Sequence, residues 1–490
     1  MKKIHHFFFV GILCFPLFFI GIKPALDWGD DNAGYIIQAR NIAEGQQHSA
    51  TGYIQNPDYQ SYAPASYPAG FPLLLSPIYA IFGINIVAFG IYVTFFLIVF
   101  GLLIYKYLSS YFSKLIAALA VLLFVYNPWT LNFKNEIISD LPFSCFFFGS
   151  LLLLEFRKIN PLSFLLFALL AGFCISIRNI GIVLPVSVIL YYGIWLLRGK
   201  RDARTSADRV LGIILAASAS ILIYLLIAKV IFPVNAEGLF SYSYYFEFKF
   251  LKENILKNLN YYLGVTRAFF EPWNGEWNFI SIITGSLLFT FILLGMIKKI
   301  ISDFVFSDFV FLMYMGILAV YPYANSGFRF LLPVVPMLLH YAILGLINYR
   351  LNLKISFPKL AMVLSLVISF SYLQGWKEIK NEAAVIPVGP HEVVNMEAFS
   401  FIRHHTSEDA IIDFAKPRAL ALFTGRKAFT HQDNLNSGEI TSVLLKLHAD
   451  YILYNSDLSG SSLNAYLEKD NDNLQLIWEN DKNRLFKILN

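Results

Sequence analysis

Apolar runs separated by short polar or basic stretches fill the chain as far as about residue 376. A bilayer asks for about 20 apolar residues per crossing, and fewer where neighbouring helices bury the segment. On that basis the runs 5–22, 85–105, 115–128, 141–156, 161–177, 180–197, 210–232, 278–297, 307–322, 329–347 and 359–375 read as transmembrane helices. A further run, 71–83, is too short to span and reads as a helix at the outer interface. The pattern predicts a polytopic α-helical membrane protein with about 11 transmembrane helices, residues 1–376 forming its membrane domain.

After residue 376 the pattern changes period. Glu397 to His404, Pro417 to Phe423 and Ile440 to Leu447 read as helices, the second ended by Gly425. Ala410 to Asp413 and Tyr451 to Tyr454 read as strands, and 474–478 with 484–488 as a hairpin around Asn480-Asp481. Residues 377–490 are therefore expected to form a small α/β domain, long enough for its own core.

Composition agrees. Of 490 residues 57% are hydrophobic and 14% charged, with 47 Phe and 28 Tyr; soluble domains carry about 25% charged residues. The net charge of +5 divides unevenly, the last 114 residues holding 12 basic and 16 acidic side chains. Lys2-Lys3, Lys106, Lys114, Arg157-Lys158, the Arg198–Arg209 cluster, Lys298-Lys299, Arg350 and Lys354 all fall on one side of the expected topology. Because basic loops stay in the cytoplasm, the loop 23–70 and the domain 377–490 are expected to be extracytoplasmic, in a cell (plasma or inner) membrane protein. No small-x-small site follows the first run, which reads as an uncleaved span. Cys14, Cys145 and Cys174 lie inside apolar runs and suggest neither disulfides nor metal ligands. The nine His are scattered. Nothing calls for nucleic acid.

The polar residues that stand out follow the first span: Trp28-Gly29-Asp30-Asp31-Asn32-Ala33-Gly34-Tyr35. Asp30 or Asp31 can cap a helix running from Asn32 to Glu44, since an Asp side chain accepts the unpaired N–H groups of a first turn. Tyr35 and Ala39 then share a face with Asp31, and Gly45 is a plausible stop. Capping alone would account for both acids.

The wider pattern adds to this. Asp31-x-x-x-Tyr35-x-x-x-Ala39 is followed by Tyr67-Pro68-Ala69-Gly70-Phe71-Pro72-Leu73-Leu74-Leu75, then Tyr79 and Phe82-Gly83. This resembles the first outer loop of the GT-C glycosyltransferases, of the protein O-mannosyltransferase and aminoarabinose transferase type. The resemblance implies that an Asp here is the catalytic carboxylate, and the spacing to Tyr35 favours Asp31 over Asp30. Where many relatives carry Asp-Glu, this chain has Asp31-Asn32, so the role of a second acid falls to Asp30 or to nothing. Tyr35 and Tyr67 are carried over as substrate-binding candidates.

A second outer loop, 127–142, contains Glu136 and Asp140, the latter before Leu141-Pro142. Asp140 can simply cap the next helix; it also resembles a second acid that the superfamily carries in this loop, and Glu136, one turn earlier, would share its face. Arg178 lies between two apolar runs, and Arg329 lies in Arg329-Phe330-Leu331-Leu332-Pro333, a segment that resembles one recurrent in the superfamily. Ionisable residues at membrane depth are costly and have a partner or a task. The alternatives for the two arginines are snorkelling to the interface and binding phosphate. The loop 233–275, with Lys249, Lys252, Lys257 and Arg267 among Tyr242, Tyr244, Tyr245, Tyr261 and Tyr262, reads as an interfacial amphipathic helix.

Taken together, the reading is a membrane glycosyltransferase that moves a sugar from a polyprenyl-phosphate donor, reachable within the membrane lipid, to a glycan, lipid or protein acceptor outside. Inversion is expected. No cofactor is called for; the superfamily divides over divalent metal, and the absence of an acid-rich cluster in the loop disfavours one here. The rival is a transporter or flippase of lipid-linked sugars, which would more often carry internal repeats and broken helices at the membrane centre. Here the charged candidates gather at outer loop boundaries, which favours an enzyme.

Overall fold

The structure is a computed structural model. It describes all residues except 1, 60–61, 157–159, 198–206, 234–247, 269–278, 322–326, 350–355, 470–472 and 490. Arg157, Lys158, Arg198, Arg350, Lys354 and Tyr242, Tyr244 and Tyr245 thus lie outside the described residues. By its internal contacts the chain divides into two compact units. One comprises Met1–Ile22, Gly90–Val230 and Tyr242–Ala383; the other comprises Lys23–Phe89, Ile231–Ser241 and Ala384–Asn490.

The first unit is helical. A helix occupies each predicted apolar run, as in Ile86–Tyr111, Asp140–Phe156, Pro161–Ile177 and Phe306–Val320. By length and composition, four described helices can cross a bilayer: Ile86–Tyr111, Val210–Ile231, Gly285–Ser302 and Phe328–Tyr349. Two bent pairs raise this to six, against the eleven expected. That count is of the described residues, and local features shorten some of the other helices. Pro16 tightens the end of the first helix into a 3-10 turn at Phe15–Phe18. Arg178 ends Pro161–Ile177 in extended backbone. Val125 and Pro128 bound a 57° bend. Leu215, Leu222, Phe8, Ile301 and Phe370 are exposed apolar side chains, as a lipid-facing surface requires. Between Phe279–Ser302 and Val335–Tyr349 the helices meet backbone to backbone. A Cβ on Gly295 would collide with the Tyr341 carbonyl, and one on Gly345 with that of Phe291. Close small-residue crossings of this kind replace the hydrophobic effect as the packing force in lipid.

The second unit contains a five-stranded sheet, β1 (Ile411–Asp413), β2 (Lys427–Phe429), β3 (Tyr451–Asn455), β4 (Leu474–Glu479) and β5 (Asn483–Ile488), in the order β2-β1-β3-β5-β4. β1 pairs in parallel with β2 and β3, and the closing hairpin pairs antiparallel. The predicted strands and hairpin are present; β2 and the helix Ser461–Glu468 were not expected. β2 is only three residues long and flanked by Arg426 and Thr430, so it carries little periodic signal. Phe429, Ile440, Val443, Leu444, Ile452, Leu463, Tyr466 and Phe486 form the core. The segment that follows the first span is stitched to the sheet edge. Ala428 N donates to Gly52 O at 2.9 Å and Ile54 N donates to Ala428 O at 2.8 Å. This brings the helix Asp30–Ala43 and the helix Pro417–Thr424 into direct contact within one unit.

Candidate active site

The helix Asp30–Ala43 starts after Gly29, and no side chain caps it. Asp30 and Asp31 occupy its first turn, where negative charge is favoured by the backbone dipole. The expectation that one of them caps this helix is corrected: the helix starts one or two residues earlier than foreseen. Asp30 serves a different helix. Its Oδ1 accepts the backbone N–H groups of Arg418 and Ala419, each at 3.1 Å, at the start of Pro417–Thr424. Its Oδ2 accepts the Tyr62 hydroxyl at 3.3 Å. Burial pushes the Asp30 carboxyl up, against the opposing pull of Arg418.

Asp31 is placed differently. Its side chain is 41% exposed. Its Oδ1 accepts the Tyr67 hydroxyl at 2.5 Å and lies 3.6 Å from the Arg418 guanidinium. Tyr67 is held from three sides. Its ring stacks on Tyr35, with centroids 4.3 Å apart, and Tyr35 in turn meets Phe71 edge-on. Its backbone exchanges two hydrogen bonds with the buried Gln38 amide, at 2.9 and 3.0 Å. Its hydroxyl accepts from Arg418 at 2.6 Å. Asp31, Gly34, Tyr35 and Gln38, at i, i+3, i+4 and i+7, are therefore one helix face devoted to Tyr67. Tyr35, 5% exposed, acts as its backing. Burial drives the Tyr67 hydroxyl well above its ordinary range, against the pull of the Arg418 charge and with the push of the Asp31 charge, and the hydroxyl donates to Asp31.

In the other unit, three distant stretches converge. Asp140 opens its helix, Arg178 closes Pro161–Ile177, and Arg329 lies in the 3-10 helix Gly327–Val334. Arg178 donates to Asp140 Oδ1, and Arg329 donates to Oδ2 at 3.0 and 3.2 Å. The Arg178 guanidinium also lies 5.0 Å from the Phe330 ring centre. Asp140 is 1% exposed at its side chain, the arginines 22% and 26%. Two cations thus engage one buried carboxylate, and both keep partial access to solvent. The expectation that Glu136 shares a helix face with Asp140 is corrected: the helix Pro128–Asn135 ends before Glu136, which is extended, and the next helix opens only at Asp140.

Comparison with solved structures gives the fold. The aminoarabinose transferase ArnT from Cupriavidus metallidurans, bound to undecaprenyl phosphate, superposes with a TM-score of 0.56 at 11% identity, over 98% of this chain and 97% of that one. The fold is that of the GT-C glycosyltransferases. The archaeal oligosaccharyltransferase AglB from Archaeoglobus fulgidus, in complex with an inhibitory peptide and a dolichol-phosphate, gives 0.55 at 12% identity over 93% of this chain and 70% of that one. The arabinofuranosyltransferase AftD from Mycobacteria gives 0.51 at 10% identity over 99% and 40%. No protein-family profile and no curated sequence matches the chain. Within this GT-C fold, sequence reasoning missed Arg418, Gln38 and Gly34. Gln38 was legible as a polar residue on the Asp31 face. Arg418 carried no signal, since it is an ordinary residue at the start of a short helix 351 positions from Tyr67.

Proposed function

We propose that the protein is a membrane glycosyltransferase that uses a polyprenyl-phosphate sugar, with Asp31 as its general base, on the extracytoplasmic side. The observation that carries this is the division of labour between the adjacent acids. Asp30 is committed to a helix start, while Asp31 is exposed and held by a hydroxyl aimed at one oxygen. A carboxylate so presented accepts the proton of an acceptor hydroxyl as that oxygen bonds to the anomeric carbon and the bond to the lipid phosphate breaks. Attack opposite the leaving group inverts the anomeric centre. Within the other unit, Arg178 and Arg329, both engaged by Asp140, are charge-assisted donors of the kind that binds a lipid phosphate.

Residues 1–376 are the membrane domain and 377–490 the extracytoplasmic one in this proposal, and the acceptor is a glycan, lipid or protein.

The deciding experiment is Asp31→Asn beside Asp30→Asn, assayed for transfer from synthetic undecaprenyl-phosphate hexoses and pentoses in liposomes. Asn keeps the size and one acceptor oxygen but takes no proton. Asp31→Asn should lose about 10²–10⁴ in rate, with binding of undecaprenyl phosphate intact. Asp30→Asn keeps an oxygen for the Arg418 and Ala419 amides and should stay within a few-fold of the parent. Full activity in Asp31→Asn would remove the base and favour the transporter reading.

A further inference from the structure

Arg418 is buried, with its side chain 1% exposed. A guanidinium taken out of water is costly unless its donors are met. The usual solution is a fork onto a carboxylate. Arg418 does something else. Its nearest carboxylate oxygen is 3.6 Å away, on Asp31, and its short bonds run to the Tyr67 hydroxyl at 2.6 Å and to the Pro64 carbonyl. Its flat face lies between two rings, 4.6 Å from the centre of Tyr67 and 5.0 Å from that of Tyr53.

An arginine only donates. The Tyr67 oxygen is therefore the acceptor in that bond, and the phenol proton is left to point at Asp31 Oδ1, 2.5 Å away. Chains of this kind polarise each link. The same residue is also tied through its main chain: its amide and that of Ala419 donate to Asp30. Residue 418 thus grips both neighbouring carboxylates, one by backbone and one through a phenol. Space for it is made at Gly34, where a Cβ would come 3.1 Å from Arg418 Cδ and 3.3 Å from the Tyr67 ring.

We propose that Arg418 is a positioning residue of glycosyl transfer: the C-terminal region supplies the cation that, through Tyr67, sets the direction of the Asp31 carboxylate. This rests on the reading of Asp31 as base. Fixing one oxygen sets the direction of the whole carboxylate, and misplacement of a catalytic group by about 1 Å can cost about 10² in rate.

The test uses the full-length protein in liposomes, with the undecaprenyl-phosphate sugar that the parent turns over as donor and undecaprenyl phosphate as binding probe. Tyr67→Phe and Arg418→Met should each lower kcat by about ten- to a hundred-fold, with donor KM and probe affinity within about two-fold of the parent. Arg418→Lys, which keeps the charge without the fork, should fall between. Because both groups act on one link, the double variant should be no slower than the slower single one. Losses that multiply, or Tyr67→Phe and Arg418→Lys at parental kcat while Asp31→Asn is dead, would overturn the proposal and leave the base reading standing. An active Asp31→Asn would sink both. If Arg418→Met does not fold, Tyr67→Phe and Arg418→Lys decide, since each keeps the buried contacts nearly whole.

Discussion

Asp30 and Asp31 are chemically the same residue in adjacent positions, and their surroundings make them different. Both stand in the first turn of one helix, about 100° apart around its axis. That rotation sends Asp30 into the backbone of another helix and Asp31 toward Tyr67 and solvent. The four-residue spacing from Asp31 to Tyr35, read from the sequence, puts both on the helix face that meets Tyr67. Asp140 shows the opposite case. In the sequence it reads as a helix cap or as a second acid of the superfamily, and in the structure two arginines engage both of its oxygens. It is an organiser of cations. Removing Arg329 still leaves Asp140 paired with Arg178, so Arg329→Ala should fold. It should weaken undecaprenyl phosphate binding by about ten- to a hundred-fold, the worth of a charge-assisted contact of about 1.5–3 kcal/mol. Titration of the purified variant with that lipid checks this; parental affinity would make Arg329 a snorkelling residue.

At the scale of elements, apolar runs located the helices and breakers trimmed them. Asn160 caps Pro161–Ile177 by accepting Ser163 N at 2.9 Å, as a short polar residue before a proline should. The parallel strands carry a feature that periodicity does not reveal. Asp413 ends β1 and His431 follows β2, with His431 Nδ1 2.7 Å from Asp413 Oδ2. Both are buried, and Asp413 Oδ1 has no hydrogen-bond partner among the described residues. Burial lowers the His431 pKa, but the charge and hydrogen bond of Asp413 outweigh it and the net shift is upward. A histidine raised in the folded state stabilises fully below its unfolded pKa of about 6.5, and that stability is lost as pH climbs through the folded value. Hydrogen exchange of β1 and β2 in the full-length protein, corrected for intrinsic rate, should therefore show protection falling from pH 6 to 8. His431→Gln should flatten the dependence. Equal slopes in parent and variant would count against the pair.

For the whole molecule, chain order and spatial order differ. The stretch Lys23–Phe89 lies early in the sequence yet packs with Ala384–Asn490. Asn56 Nδ2 donates to Thr430 O at 3.1 Å, and the Tyr62 hydroxyl donates to Ala415 O at 3.0 Å. Topology supplies a test that needs no substrate. Single cysteines at Gln47 and Ser456, both exposed, should react with a membrane-impermeant maleimide in intact cells. Cys14, Cys145 and Cys174 are buried and should stay silent. Protection of either introduced cysteine would reverse the orientation and with it the need for a lipid-borne donor.

The sequence by itself determined what depends on local physics: where helices form, the strands of the C-terminal region, and the helix face that bears Asp31. These follow from apolar periodicity and from spacing, which act over a turn or a strand. Only the tertiary structure decided what each charge is paired with. Arg418 reaches Tyr67, Asp30 reaches the backbone of Pro417–Thr424, and Arg178 and Arg329 share Asp140. Those partners are 38 to 389 residues apart. No local propensity links them; a buried charge takes whatever partner the packed chain brings within about 3 Å, because leaving it unpaired costs more than the fold can spare.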